Sequence, residues 1–233
     1  MTALGMSRPV AAAGTLRVLA ALLSYPDAER RGWLAEMKEI LQRERALSAG
    51  RLAELDALIG TLGRNDPLDV EADYVQLFDR GRATSLHLFE HVHGDSRARG
   101  PALIDLAQMY AQAGLCLAEG ELPDFLPVTL EFASTQPQRE ARAFLAEMAH
   151  ILNAIFAALE QRRSAYASVI GALLELAGEK ARPIPVAADE PIDVVWEEPP
   201  VFDGCSSKGQ SRPDQPQPIR IVRTNRPDEG ARA

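Results

Sequence analysis

Between Asp79 and Asp95 the chain carries three histidines, His87, His91 and His93, among the carboxylates Asp79, Glu90 and Asp95. His87 and His91 are four residues apart and would share a face of a helix. With His93 and Asp95 just beyond, one chemistry open to them is metal binding. Glu90 beside His91 offers an acid/base pair, and Ser85 or Ser96 a hydroxyl nucleophile. The pattern lacks the partners these chemistries need. No spaced cysteine pair, His-Glu-x-x-His motif, phosphate-cradling glycine loop or nucleophile elbow occurs anywhere in the chain, and neighbours in sequence do not supply the orienting third group of a triad. The plainer reading is a groove wall: Leu86, Leu88, Phe89 and Val92 pack inward, leaving Glu90 and the imidazoles at a rim. Arg80, Arg82, Arg97 and Arg99 then pair with Asp79, Glu90 and Asp95 and pin the loop, with an anion site as the other reading. A metal-binding enzyme using His87, His91 and His93 remains the alternative.

The elements that must position this loop are helical. Thr15 is placed to cap a first helix with Leu16, Leu19, Ala20 and Leu23 on one face, ending before Pro26. Asp27 caps a second, predicted to bury Trp33, Met37, Ile40 and Leu41. Ser48 caps a third, with Leu52, Leu55, Ile59 and Leu62 inward and Gly63 as its stop. Asn65-Asp66-Pro67 launches a fourth, which ends at Phe78. Past the loop, helix resumes near Pro101, with Leu103, Leu106, Ala107, Tyr110 and Ala113 at helical spacing and Gly114 to stop it. Leu122-Pro123-Asp124 starts the next. The longest periodic segment runs from Gln138 to Gln161, and Tyr166 to Ala177 forms the last helix. His150 and Cys116 read as packed or boundary residues. No strand pattern of useful length appears, so the fold class expected is all-α, a single helical bundle over residues 1–178.

Residues 179–233 differ in character. They hold nine of the 16 prolines among Ser, Gln, Asp and Arg, a composition that cannot offset its ordering entropy by burial, so a flexible Pro-rich C-terminal tail is expected. The apolar group Ile192, Val194, Val195 and Trp196 is the one piece suited to docking.

A net charge of −8 over 233 residues, with arginines interspersed among acids, argues against nucleic acid as a partner and suits a basic peptide better. Two cysteines, Cys116 and Cys205, make no disulfide framework, which fits a reducing cytoplasm. The apolar stretch Val10 to Leu23 is interrupted by Arg17 and lacks a cleavage site, so neither an export signal nor stable membrane association is expected.

The run Tyr74-Val75-Gln76-Leu77-Phe78-Asp79-Arg80-Gly81-Arg82-Ala83-Thr84-Ser85-Leu86, followed by Leu88-Phe89-Glu90-His91-Val92-His93-Gly94, Ser96-Arg97 and Arg99-Gly100, resembles the signature of the nitrate reductase molybdenum cofactor assembly chaperones. These are the NarJ type, or delta chain, of the NarJ/TorD/DmsD family. Leu22-Leu23 with Tyr25-Pro26, Glu121-Leu122-Pro123-Asp124 with Leu126-Pro127, and Leu130-Glu131-Phe132 extend the likeness over about the first three quarters of the chain. Trp196 to Phe202 is similar to a stretch in tails of that type. Asp95 stands where Glu is common among relatives, which keeps the charge and shortens its reach.

The resemblance implies a TorD-like helical bundle without catalytic activity or a cofactor of its own. It implies a chaperone that binds the N-terminal segment of the apo catalytic alpha subunit, with the alpha–beta complex and cofactor-delivery proteins as further partners. Such a chaperone holds the apoenzyme until bis-molybdopterin guanine dinucleotide is inserted, and delays membrane attachment. The peptide-binding surface it implies is Tyr74, Phe78, Asp79, His87, Phe89, Glu90, His91 and His93, with Asp124, Leu126 and Glu131 from the later stretch. Three histidines on such a surface would make binding of a basic peptide pH-dependent.

Overall fold

The computed structural model describes residues 12–94 and 96–182, all within the first of the chain's two units, Met1–Asp189. The expectations placed on Asp95, on Cys205 and on the tail from 183 onward, including Trp196 to Phe202, lie outside the described residues.

Among them the secondary structure is eleven α-helices and one 3-10 turn, without strands. The helix α1 (Ala13–Leu23) is buried along most of its length and packs chiefly on α8 (Leu126–Thr135). Around this pair stand α3 (Leu34–Glu44), α4 (Ala49–Arg64), α9 (Gln138–Glu147), α10 (Ala149–Gln161) and α11 (Ala167–Ala177). Their shared core includes Leu19, Leu23, Leu55, Leu126, Leu130, Leu152, Ile155, Leu159, Val169 and Leu173, each fully buried.

Local signals hold where a cap or proline sets the boundary. Asp27 accepts from the Arg30 amide and starts the single turn α2 (Ala28–Gly32), Ser48 accepts from Arg51, and Asp66 accepts from Leu68 with Pro67 opening α5 (Pro67–Phe78). Gly178 takes φ +83° to close α11. Past it the chain is still tied to the bundle: Ala181 packs on the core and the Arg182 amide donates to Asn153 Oδ1 at 2.9 Å.

Four expectations are corrected. Thr15 is not the cap of α1 but sits inside it, because Glu44 of α3 reaches across. That carboxylate accepts from the Gly14 amide at 2.9 Å and from the Thr15 amide and hydroxyl at 2.6 and 2.7 Å, satisfying first-turn donors from another helix. The close approach needs Gly14, where a Cβ would lie 2.6 Å from Glu44 Oε1 and 2.9 Å from Ile40 Cγ2. The second predicted helix breaks at Trp33, whose indole is 44% exposed instead of buried. The long segment from Gln138 breaks at Met148 into α9 and α10, which cross at 65°. His150 and Cys116 are both exposed, the latter in the loop 113–125 and not in a helix. No single helix among the described residues is long and apolar enough to cross a membrane.

Candidate functional site

The signature loop folds as a 3-10 turn, η1 (Arg82–Thr84), and a short helix, α6 (Leu88–His93), before α7 (Arg99–Gln112). Two backbone hydrogen bonds fasten it to the later signature stretch. The Leu88 amide donates to the Asp124 carbonyl at 3.0 Å and the Leu126 amide to the Leu86 carbonyl at 2.8 Å, making a one-residue antiparallel bridge between His87 and Phe125. This bridge explains why Asp124 starts no helix: α8 begins two residues later and the Asp124 side chain turns inward.

Asp124 is fully buried and collects three donors. The Phe89 amide lies at 3.2 Å, His87 Nδ1 at 3.5 Å and an Arg99 guanidinium nitrogen at 3.5 Å. Burial alone would raise its carboxyl pKa; the hydrogen bonds from His87 and the Phe89 amide, with the positive charge of Arg99, outweigh that and hold it below the usual carboxylate value. Arg99 also reaches Glu90 at 3.4 Å, and Glu90 accepts from Ser85 Oγ at 2.5 Å. The first-turn amide of α6 is thus capped by Asp124 from 35 residues away, and the whole cluster is a clip that joins α6, α7 and the start of α8.

The imidazoles face different partners. His87 precedes α6 instead of sharing a helix face with His91, and turns to Asp124 and the Phe125 ring. His91 Nε2 donates to the Ser85 carbonyl at 2.8 Å, and His93 meets the edge of Phe89. This divergence corrects the shared face on which the metal reading rested, and among the described residues no three His, Cys, Asp or Glu side chains gather around one point.

Of the other predicted peptide-binding residues, Tyr74 and Phe78 are core. They meet Tyr166 edge to face at centroid distances of 6.3 and 5.1 Å, and the Tyr74 hydroxyl donates to the Leu23 carbonyl at 2.7 Å. Leu126 is fully buried as well. Phe89, Glu90, His91 and His93 are half-buried on α6, while Asp79 and Glu131 are exposed. The structure therefore brings His87, Phe89, Glu90, Asp124 and Leu126 together, places Tyr74 and Phe78 in the core against Tyr166, and leaves Glu131 elsewhere.

Glu131 borders a cleft of about 490 Å³ between α1, α3, α8 and the loop after α7. Its apolar lining includes Val18, Ala21, Trp33, Met37, Ile40, Leu117, Val128 and Phe132, and its charged residues are Arg17, Glu36, Glu121 and Glu131. Tyr110 forms one wall. Its hydroxyl donates to the Pro123 carbonyl at 2.9 Å, its ring stacks on Phe132 at 4.7 Å, and burial pushes its pKa up to about 12, the Thr129 hydroxyl pulling weakly the other way. A cleft of this size, apolar within and acidic at its edges, suits the hydrophobic face of an amphipathic helix carrying cations. Sequence reasoning found Glu131 but missed the rest. No local pattern marked the cleft, because its lining comes from four separate elements.

Comparison with known proteins agrees with this architecture. The profile of the family described as "Nitrate reductase delta subunit" matches residues 41–170. The chain is 44% identical over 193 residues to the nitrate reductase molybdenum cofactor assembly chaperone NarJ of Escherichia coli (strain K12), covering 78% of this chain and 82% of that protein. It is 32% identical over 161 residues to a Bacillus subtilis (strain 168) protein named "Probable nitrate reductase molybdenum cofactor assembly chaperone NarJ", with coverage of 69% and 86%. A crystal structure from Archaeoglobus fulgidus, titled as a redox enzyme maturation protein, shares the fold with a TM-score of 0.52 at 20% identity, over 76% of this chain and all of that one.

Proposed function

The chain belongs to the nitrate reductase delta subunit family, and from that premise we propose that it is an assembly chaperone for the molybdenum cofactor of nitrate reductase, working by gripping a polypeptide. Its client is the apo catalytic alpha subunit, taken by its N-terminal segment, held in the cytoplasm until the cofactor is inserted and kept from the membrane meanwhile. The chaperone itself performs no chemistry and retains no cofactor. The observation that carries this reading is the apolar cleft edged by Glu36, Glu121 and Glu131, which a basic amphipathic helix would fill. The signature cluster supports the cleft at one remove, because the clip at Asp124 fixes both the start of α8 and the departure of α7, whose Tyr110 forms a wall. Phe89, His91, His93 and Asp79 lie outside the cleft and would meet the folded part of the client.

Calorimetric titration with a synthetic peptide of the alpha-subunit N-terminus tests this. Val128→Arg and Glu131→Gln are expected to weaken binding severalfold, while Asp79→Asn and Glu90→Gln leave it nearly unchanged. The opposite pattern would move the peptide to the signature loop and refute the assignment to the cleft.

A further inference from the structure

The charges around the cleft are not evenly spread. Helix α1 runs antiparallel to α3, since Gly14 and Thr15 meet Glu44 at one end while Ala21 and Leu22 share a lining with Leu34 and Met37 at the other. Arg17 therefore lies toward the Ile40 end of the cleft and Glu36 toward the Trp33 end. Helix α8 shows the same order: Ser134 touches Arg17, Glu131 is one turn before it and Val128 almost another. From Val128 to Thr135 the lining spans roughly 10 Å at ~1.5 Å per residue, about two turns of a bound helix.

Arg17 is also held in place. Its Nε donates to Ser134 Oγ at 3.2 Å, and Ser134 Oγ in turn donates to the Glu131 carbonyl at 2.7 Å, which leaves the serine lone pair directed at the guanidinium. Among the described residues no carboxylate lies within ion-pair distance of Arg17, which is exposed and lines the cleft. Glu36 and Glu131 thus stand about one helical turn along the cleft from the oriented cation of Arg17.

We infer that Arg17 is a specificity-determining residue that fixes the direction of the bound peptide, requiring a carboxylate in the peptide's C-terminal turn while the basic residues of its N-terminal half face Glu36 and Glu131. A bound helix adds its own dipole in the same sense, with the negative C-terminal end at Arg17 and the positive N-terminal end at the acids. The inference rests on the cleft being the peptide site and adds to it a polarity and a second recognition element.

The test uses the alpha-subunit N-terminal peptide in three forms, with Glu, Gln or Lys at one position of the C-terminal turn of its apolar face, titrated against the full chain and its Arg17→Glu and Ser134→Ala variants. The wild-type chain should bind the Glu form about tenfold more tightly than the Lys form, two exposed charge contacts of opposite sign being of that order. Arg17→Glu should invert the preference, and Ser134→Ala should narrow it by loosening the guanidinium while circular dichroism stays unchanged. If the Gln form binds the wild-type chain yet Glu and Lys rank alike in all three proteins, the role of Arg17 is overturned and the cleft assignment stands. If no form binds, both fall.

Discussion

Replacing Asp124 probes the clip that joins the two signature stretches. In Asp124→Ala the half-buried Phe89 amide loses its charged acceptor, a loss of about 1–2 kcal/mol, and Arg99 loses one of two carboxylates. The second loss is smaller than for a fully buried pair, about 1 kcal/mol, because the Arg99 side chain is 23% exposed and keeps Glu90. The sum, about 2–3 kcal/mol, corresponds to a fall in Tm of roughly 4–12 °C for a chain of this size. Asp124→Asn keeps an acceptor for the amide and should lose about half as much. The electrostatic share has a definite pH window. The folded-state pKa of Asp124 is depressed below 3.8, so the stability it contributes is present above that value and is lost as pH falls through the depressed one. Urea denaturation of the wild-type chain and Asp124→Asn at a series of pH values from neutral to 3 should show a gap that is constant at first and closes below about pH 4. Equal midpoints at neutral pH, or a gap that widens in acid, would show that the carboxylate does not hold the clip.

Gly14→Ala should cost about 1–2 kcal/mol by chemical denaturation, since the new Cβ displaces Glu44 from the first-turn amides of α1; Glu44→Gln, which keeps one acceptor, should cost less, and the reverse order would be inconsistent with that cap. The buried phenols set an alkaline limit. Burial raises the pKa of Tyr74 and Tyr166 and pushes Tyr110 up to about 12, all above the unfolded value of 10.0, so the stability they contribute is complete below pH 10 and is lost as pH rises toward 12. Ultraviolet titration should therefore show these phenolates appearing only together with unfolding; a reversible phenolate signal from all of them near pH 10 in the folded protein would contradict their burial.

What was legible in the sequence follows the range of the forces involved. Asp27, Ser48 and Asp66-Pro67 mark helix starts through bonds to their own neighbours, so the chain announces them locally. Gly32 stands beside the break at Trp33, but the apolar period runs on through it, and the break at Met148 has no glycine or proline to mark it and arises where packing turns the chain. The start of α1 was misread because its cap comes from Glu44, and Asp124 read as a helix start because its true partners, Phe89, His87 and Arg99, are 25 to 37 residues away. Spacing suggested that the histidines converge, and the turn before Leu88 sends His87 elsewhere. The cleft left no local trace, being made by four separate elements, and Glu131 entered the expected site only through family likeness.

The bridge between His87 and Phe125 has a consequence for how such a protein can vary. Everything from α6 through α7 to the loop before Asp124 departs and returns at one clasp, and Tyr110 of α7, held on Phe132 and Pro123, is its second anchor, with the exposed turn around Cys116 between the two. Lengthening a loop beyond such a closure point costs little, about 0.6 kcal/mol for each doubling. Insertions or deletions near Cys116 could therefore reshape one side of the binding surface without disturbing the helices beneath it, allowing relatives to fit different cargo on an unchanged foundation.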